Sequence, residues 1–249
     1  ALREGEEDYA VAFAFPNGAE GVTYICQYNA YSVERMHEDP QYLGNPLYGQ
    51  RETSLIIFDN LFVPWDKVFM CGEVAYTQRA VARFAKMHRM NCGGACKVGF
   101  ADLIIGATKL MAEFNGVDRA PHIVEKLTQM IHIRETSHAC AIAAALKGRE
   151  EPEGSGIYLP DDIYGNVAKL NTCYGFWELM ALAGDIAGGV AVTMPSERDL
   201  LNPETKEYIE KYLKGSVPAA QRMRMARFLQ NWVAGLHGVA TWQLSLIHI

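Results

Sequence analysis

A change of period near residue 75 constrains this chain more than any other feature. Before it, apolar residues come in short alternating runs; after it, they recur at helical spacing to about Leu236. Period two means strands with one packed face, and a period of about 3.6 means helices with an apolar stripe. Tyr9, Val11, Phe13 and Phe15 alternate with alanines ahead of the turn signal Pro16-Asn17-Gly18. Val22 to Tyr28 and Thr53 to Phe58 are expected as further strands, Asp59-Asn60 as a turn, and Leu61-Phe62-Val63 as its continuation before Pro64. Residues 29–50 keep no period and read as a loop.

Helix punctuation orders the rest. A long amphipathic helix is expected over 76–115, stopped by Asn115-Gly116. Pro121 opens a second helix that reaches Lys147-Gly148, and a Gly/Pro/Glu-rich connector covers 148–160. Asp161-Asp162 caps a third helix to Ala187, where Gly188-Gly189 break it. Pro203 starts a short helix to Lys214, and Pro218 starts a last helix that reaches Leu236. The expected class is α+β: a β-rich part over 1–75, then an antiparallel helical bundle over 76–243. Residues 244–249 (Leu-Ser-Leu-Ile-His-Ile) differ in texture and are expected to be a foreign tail, so His248 receives no role. The chain reads as an interior fragment.

Charge removes several partners. With 23 Lys plus Arg against 29 Asp plus Glu, the net charge is −6, which disfavours nucleic acid and anionic membrane surfaces. No apolar run reaches the roughly 18–20 residues of a membrane span. The acidic start, Ala1 to Asp8, lacks the basic opening of a signal peptide. The expected compartment is therefore a reducing cytoplasm, in which the six cysteines (26, 71, 92, 96, 140 and 173) are thiols or metal ligands.

The stretch that carries chemistry is His88-Arg89-Met90-Asn91-Cys92-Gly93-Gly94-Ala95-Cys96-Lys97. His88, Cys92 and Cys96 follow at intervals of four, which on an unbroken helix places all three on one face. Imidazole and thiolate are ligands for soft and borderline metals. A glycine inside a helix costs about 1 kcal/mol against alanine, so the pair signals a kink or a close approach. Small residues on one helix face also serve close packing, and one His with two Cys does not complete a four-ligand site. Asp185-Ile186-Ala187-Gly188-Gly189, followed by Thr193, ends a helix where a cofactor pyrophosphate can approach the backbone; a plain helix cap is the other reading. Glu52 stands just ahead of the third strand, as a candidate base or as a solvated loop charge.

Phe58-Asp59-Asn60-Leu61-Phe62-Val63-Pro64-Trp65, His88-Arg89, Gly93-Gly94, Cys96-Lys97-Val98-Gly99, Asp185 to Gly189 and Thr193 to Glu197 together resemble one family. It is the 4-hydroxyphenylacetate 3-hydroxylase family of acyl-CoA dehydrogenase-like flavoproteins, and within it the 4-hydroxybutyryl-CoA dehydratase/vinylacetyl-CoA isomerase branch. The resemblance runs from Asp8 to about Gln243. It implies that the β-rich part closes an acyl-CoA dehydrogenase-like middle domain, with an N-terminal helical domain lying outside this chain. It implies FAD and a [4Fe–4S] cluster with three Cys and one His ligands, two of the cysteines lying outside this chain. His88 and Cys96 are the ligands that map here, with Cys92 as the alternative. Relative to the family pattern the His-to-Cys interval is one residue longer, Ala95 being the extra residue, and Cys92 stands near a family tyrosine.

The implied reaction is dehydration of 4-hydroxybutyryl-CoA to crotonyl-CoA through a ketyl radical, with vinylacetyl-CoA Δ-isomerase activity. Glu52 is the implied base, and Lys97 the positive charge beside flavin or substrate. Asp185, Gly188, Gly189 and Thr193 are the implied cofactor contacts. A homotetramer acting on acyl-CoA follows from the same likeness. The other reading is a reduced-flavin-dependent aromatic 3-hydroxylase of the same fold, which needs no cluster.

Overall fold

The computed structural model describes residues 2–26 and 54–233, with Gly235 and Gly238. These divide into two compact units, residues 2–26 with 54–88, and residues 89 onward. Among the described residues no helix is long and apolar enough to cross a membrane.

The first unit holds short antiparallel ribbons. β1 (Val11–Phe13) pairs with β4 (Val68–Cys71), and β2 (Val22–Cys26) pairs with β3 (Ser54–Phe58) in the register Val22 to Phe58 through Cys26 to Ser54. Phe13 and Phe15 each meet Phe58 edge to face, at ring-centroid distances of 5.5 and 5.2 Å, and are tilted against each other at 6.1 Å. The Asp59-Asn60 turn is present: Asn60 adopts φ 53°, a left-handed conformation that Asn tolerates, and the Asp59 carbonyl lies against Gly21. The strand ends at Phe58, so Leu61 to Val63 do not continue it. β4 is a strand that the short run after Pro64 did not announce. Helix α1 (Val74–Asn91) then begins, and the unit boundary falls inside it, between His88 and Arg89.

The second unit is helical. α1 passes through a π turn (Cys92–Cys96) into α2 (Lys97–Asn115), which Gly116 ends in a left-handed conformation, φ 73°. α3 (Pro121–Leu146) starts on its proline. The connector holds a two-residue ribbon, β5 (Arg149–Glu150) with β6 (Tyr158–Leu159). α4 (Asp162–Ala187) starts from Asp161, whose carboxylate accepts the Ile163 and Tyr164 N–H groups at 3.0 Å. α5 (Val190–Thr193), α6 (Glu197–Leu201), α7 (Lys206–Tyr212) and α8 (Ala219–Val233) complete the order.

The core lies where α2, α3 and α4 meet: Ile104, Met130 and Leu179 are fully buried, with Ile123, Leu127, Phe176 and Ile186 around them. Burying such side chains stabilises the fold by about 1.5–3 kcal/mol each. α8 seals one end through Ala226 and Leu229 against Met111 and Ala187. Arg134 of α3 takes Asp102 of α2 in a two-pronged ion pair at 2.8 and 3.0 Å, so the helix pair has a fixed register.

Candidate cofactor site

The site begins with a backbone irregularity. Lys97 N–H reaches the Cys92 carbonyl, five residues back, and the helix is π over Cys92–Cys96. A π turn accommodates one residue more than an α turn. Ala95 lies within it. The expected kink at the glycine pair is instead this wide turn, and the close approach is made by neighbouring helices. A Cβ on Gly93 would lie 2.8 Å from Lys169 N and 2.9 Å from Ala168 C, both backbone of α4. One on Gly94 would lie 1.8 Å from Ala141 Cβ of α3. Only glycines let three helices converge here.

The convergence surrounds the turn with polar groups. Thr172 Oγ1 donates to the Gly93 carbonyl at 2.6 Å, and the Ser137 hydroxyl is 3.3 Å from Thr172 Oγ1. His138 Nδ1 is 3.4 Å from the Gly94 carbonyl. A carbonyl only accepts, so this contact requires the proton on Nδ1. Lys169 Nζ donates to Cys92 Sγ at 3.6 Å, with both residues buried. Cys173, one turn along α4 from Lys169, is also buried. Burial pushes its thiol above the ordinary value; Lys169 pulls it down, Cys92 adds to the rise and Lys97 opposes it.

The two candidate cysteines thus have different surroundings. Cys92 is 7% exposed and faces Lys169, whereas Cys96 is exposed. The one-face expectation assumed an unbroken α-helix, and the i→i+5 turn changes the angular step between the two thiols. Lys97 is 2% exposed, its ammonium 5.6 Å from the ring centres of both Phe100 and Phe176, at a cleft also lined by Arg134, Ser137 and Thr172. Such cation–π packing stabilises a charge in an apolar setting. In the other unit, His88 stacks on Phe84, one helical turn earlier, at 6.0 Å and 9°, and its Nε2 is withdrawn from solvent. Among the described residues no three His, Cys, Asp or Glu side chains gather closely enough to hold a metal. Imidazole and thiolate are donor types that suit iron, and the described residues of this chain do not by themselves complete such a site.

At the other end of α4, Gly188 has φ 74° and its N–H bonds back to Gly184 and Asp185. Its glycine is required by the left-handed backbone. Gly189 is different: its φ is −56°, and a Cβ there meets nothing within 4 Å. Neither backbone strain nor packing among the described residues requires glycine at 189. Thr193 Oγ1 donates to the Gly189 carbonyl at 2.9 Å, and Asp185 is ion-paired with Lys126. The backbone at Gly188–Gly189 is therefore open to approach by a group from outside the chain. Glu52 lies outside the described residues.

Lys169, Thr172, Ser137 and His138 were not singled out by sequence reasoning. One signal was present: Lys169, Thr172 and Cys173 fall at i, i+3 and i+4 on a helix whose other inward positions are apolar, which marks a buried polar stripe.

The profile of the 4-hydroxyphenylacetate 3-hydroxylase C-terminal region matches residues 77–246, and that of its N-terminal region matches residues 1–70. The chain is 38% identical over 250 residues to a 4-hydroxybutyryl-CoA dehydratase/vinylacetyl-CoA-Δ-isomerase from Clostridium aminobutyricum, covering 96% of this chain and 50% of that protein. It is 28% identical to a 4-hydroxyphenylacetate 3-monooxygenase oxygenase component from Thermus thermophilus, covering 97% of this chain and 49% of that protein. An oxygen-tolerant archaeal 4-hydroxybutyryl-CoA dehydratase from N. maritimus superposes with a TM-score of 0.92 at 39% identity, over 98% of this chain and 48% of that one. A 4-hydroxyphenylacetate 3-monooxygenase oxygenase component complexed with FAD superposes at 0.84 with 25% identity, over 98% of this chain and 50% of that one. The chain thus spans about half the length of the relatives it matches. With both profiles matched in order along nearly the whole sequence, the chain belongs to the 4-hydroxyphenylacetate 3-hydroxylase family.

Proposed function

We propose that this chain is part of an FAD- and [4Fe–4S]-dependent enzyme that dehydrates 4-hydroxybutyryl-CoA to crotonyl-CoA and isomerises vinylacetyl-CoA. The observation that carries the reading is the exposed Cys96 thiol at the end of a π turn braced by two other helices. The identity of 38% to a dehydratase, against 28% to a monooxygenase, favours the same branch.

Cys96 and His88 are the metal ligands in this reading. An extra residue in an α-helix would swing Cys96 by about 100°; the π turn takes up Ala95 locally. Cys92 is the weaker candidate, because its sulfur is buried and already engaged by Lys169. When bound, the flavin supplies one-electron chemistry and the cluster supplies an electrophilic iron for the leaving hydroxyl. Glu52 acts as the base that takes a proton from the acyl chain. Lys97 supplies fixed positive potential from within the core, since its ammonium is held between rings. Gly188, Gly189 and Thr193 form a backbone edge that FAD approaches in a tetramer, with Asp185 held against Lys126 beside it. The compartment is the cytoplasm, and this chain alone is inactive.

The test is made on a protein completed with the N-terminal half that its relatives have. Iron and acid-labile sulfide per flavin should fall sharply in Cys96→Ser and stay near normal in Cys92→Ser. The reverse pattern moves the ligand to Cys92. An iron-free protein that hydroxylates 4-hydroxyphenylacetate with reduced flavin overturns the dehydratase reading.

A further inference from the structure

We propose that Thr172 is a positioning residue: its hydroxyl holds the helix in π register at Cys92–Cys96 and thereby sets where the Cys96 thiol points. In an α-helix, the Gly93 carbonyl accepts the Lys97 N–H, four residues on. Here that N–H goes to the Cys92 carbonyl instead. Gly93 O has lost its α partner, inside a core where an unmet carbonyl is costly. Thr172 Oγ1 donates to this same oxygen at 2.6 Å.

The replacement is built in from several sides. Thr172 is 3% exposed and Ser137 4% exposed, so water does not compete for the carbonyl. The Ser137 hydroxyl, 3.3 Å away, fixes the rotor of Thr172 from α3. His138 Nδ1 approaches the next carbonyl, Gly94 O, at 3.4 Å, so side chains of two neighbouring helices brace consecutive carbonyls of one turn. The packing of α4 against Gly93 puts the hydroxyl within reach, since a Cβ there would collide with the Ala168–Lys169 backbone. Without the hydroxyl, Gly93 O recovers a partner by drawing Lys97 N–H back to α register. That displaces one residue from the turn and rotates Cys96 relative to Cys92. The consequence for iron rests on the ligand reading above; the register itself does not.

The first test is a cycle on the 249-residue chain with Thr172→Val and deletion of Ala95. Valine keeps the shape and removes the hydroxyl, and the deletion removes the residue that the π turn absorbs. The denaturant midpoint should fall in Thr172→Val alone, and this fall should shrink or vanish once Ala95 is deleted. An equal fall in both backgrounds, or failure to fold in both, overturns the proposal. Failure of Thr172→Val alone, with folding regained on deletion, supports it.

The second test reads direction. Alkylation of Cys96, followed by peptide mass spectrometry with the exposed Cys71 as internal standard, should change severalfold in Thr172→Val and return to normal in Thr172→Ser. An unchanged Cys96 to Cys71 ratio in Thr172→Val overturns it. In the completed protein, normal iron in a variant that passes both tests would sink the ligand assignment and leave the register standing.

Discussion

At the residue scale, Gly93 and Gly94 are held to glycine by groups 76 and 47 residues further along the chain, the Lys169 backbone and Ala141. Gly94→Ala would place a Cβ 1.8 Å from that of Ala141. Overpacking of this kind costs about 1–3 kcal/mol or somewhat more. Urea unfolding should show such a loss in Gly94→Ala, and Ala141→Gly in the same chain should recover part of it; an unchanged midpoint would mean that the helices do not meet here. Cys173 yields a pH prediction. Its folded thiol titrates above the ordinary value, chiefly through burial. Below about pH 8.5 both folded and unfolded thiols hold their proton, and above it the unfolded chain loses the proton first. Stability from this group is therefore present at neutral pH and declines as pH rises toward the folded value. Cys173→Ser, which does not ionise, should show a shallower alkaline loss in urea midpoint than the parent chain.

At the element scale, the punctuation residues were readable because their effects are local. Pro121 opens α3, Gly116 closes α2 with a left-handed φ, and Asp161 caps α4, each where the residue type alone predicts. Local signals failed where pairing is non-local. The β5–β6 ribbon lies inside a Gly- and Pro-rich connector, and its partners are eight or more residues apart. β4 is four residues long and gains its hydrogen bonds from β1, nearly sixty residues earlier. The π turn escaped for a related reason: its register depends on Thr172, which no window around Cys92 contains. Asp161 offers a direct check on capping. Its carboxylate satisfies two N–H groups that the helix leaves without partners. Asp161→Ala should cost about 0.5–2 kcal/mol, seen as a lower thermal midpoint, and Asp161→Asn should recover most of it.

At the scale of the whole molecule, the chain spans about half the length of the relatives it matches, and its strand-rich unit presents apolar side chains to solvent. Leu55, Phe62, Trp65 and Phe69 in the strand-rich unit are 64–85% exposed, more apolar surface than a free ribbon keeps clear of association. The helical unit has a closed core of its own, and the Gly188–Gly189 backbone lies open at the end of α4. That edge separates two explanations for a double glycine. Gly188 is explained by its φ of 74°, whereas Gly189 has φ −56° and open space where a Cβ would stand. Gly189→Val should therefore leave the helical unit nearly intact, with a loss of about 1 kcal/mol at most from the start of α5. If FAD meets the backbone here, as proposed above, the same change in the completed protein should strip FAD and weaken assembly, because the valine side chain would occupy the open space beside Gly189. Flavin occupancy after gel filtration, read beside the oligomer's mass, decides between the two. Full occupancy at normal mass would reduce Gly189 to an unconstrained cap, whereas loss of flavin from a protein with an unchanged thermal midpoint would assign the edge to the cofactor.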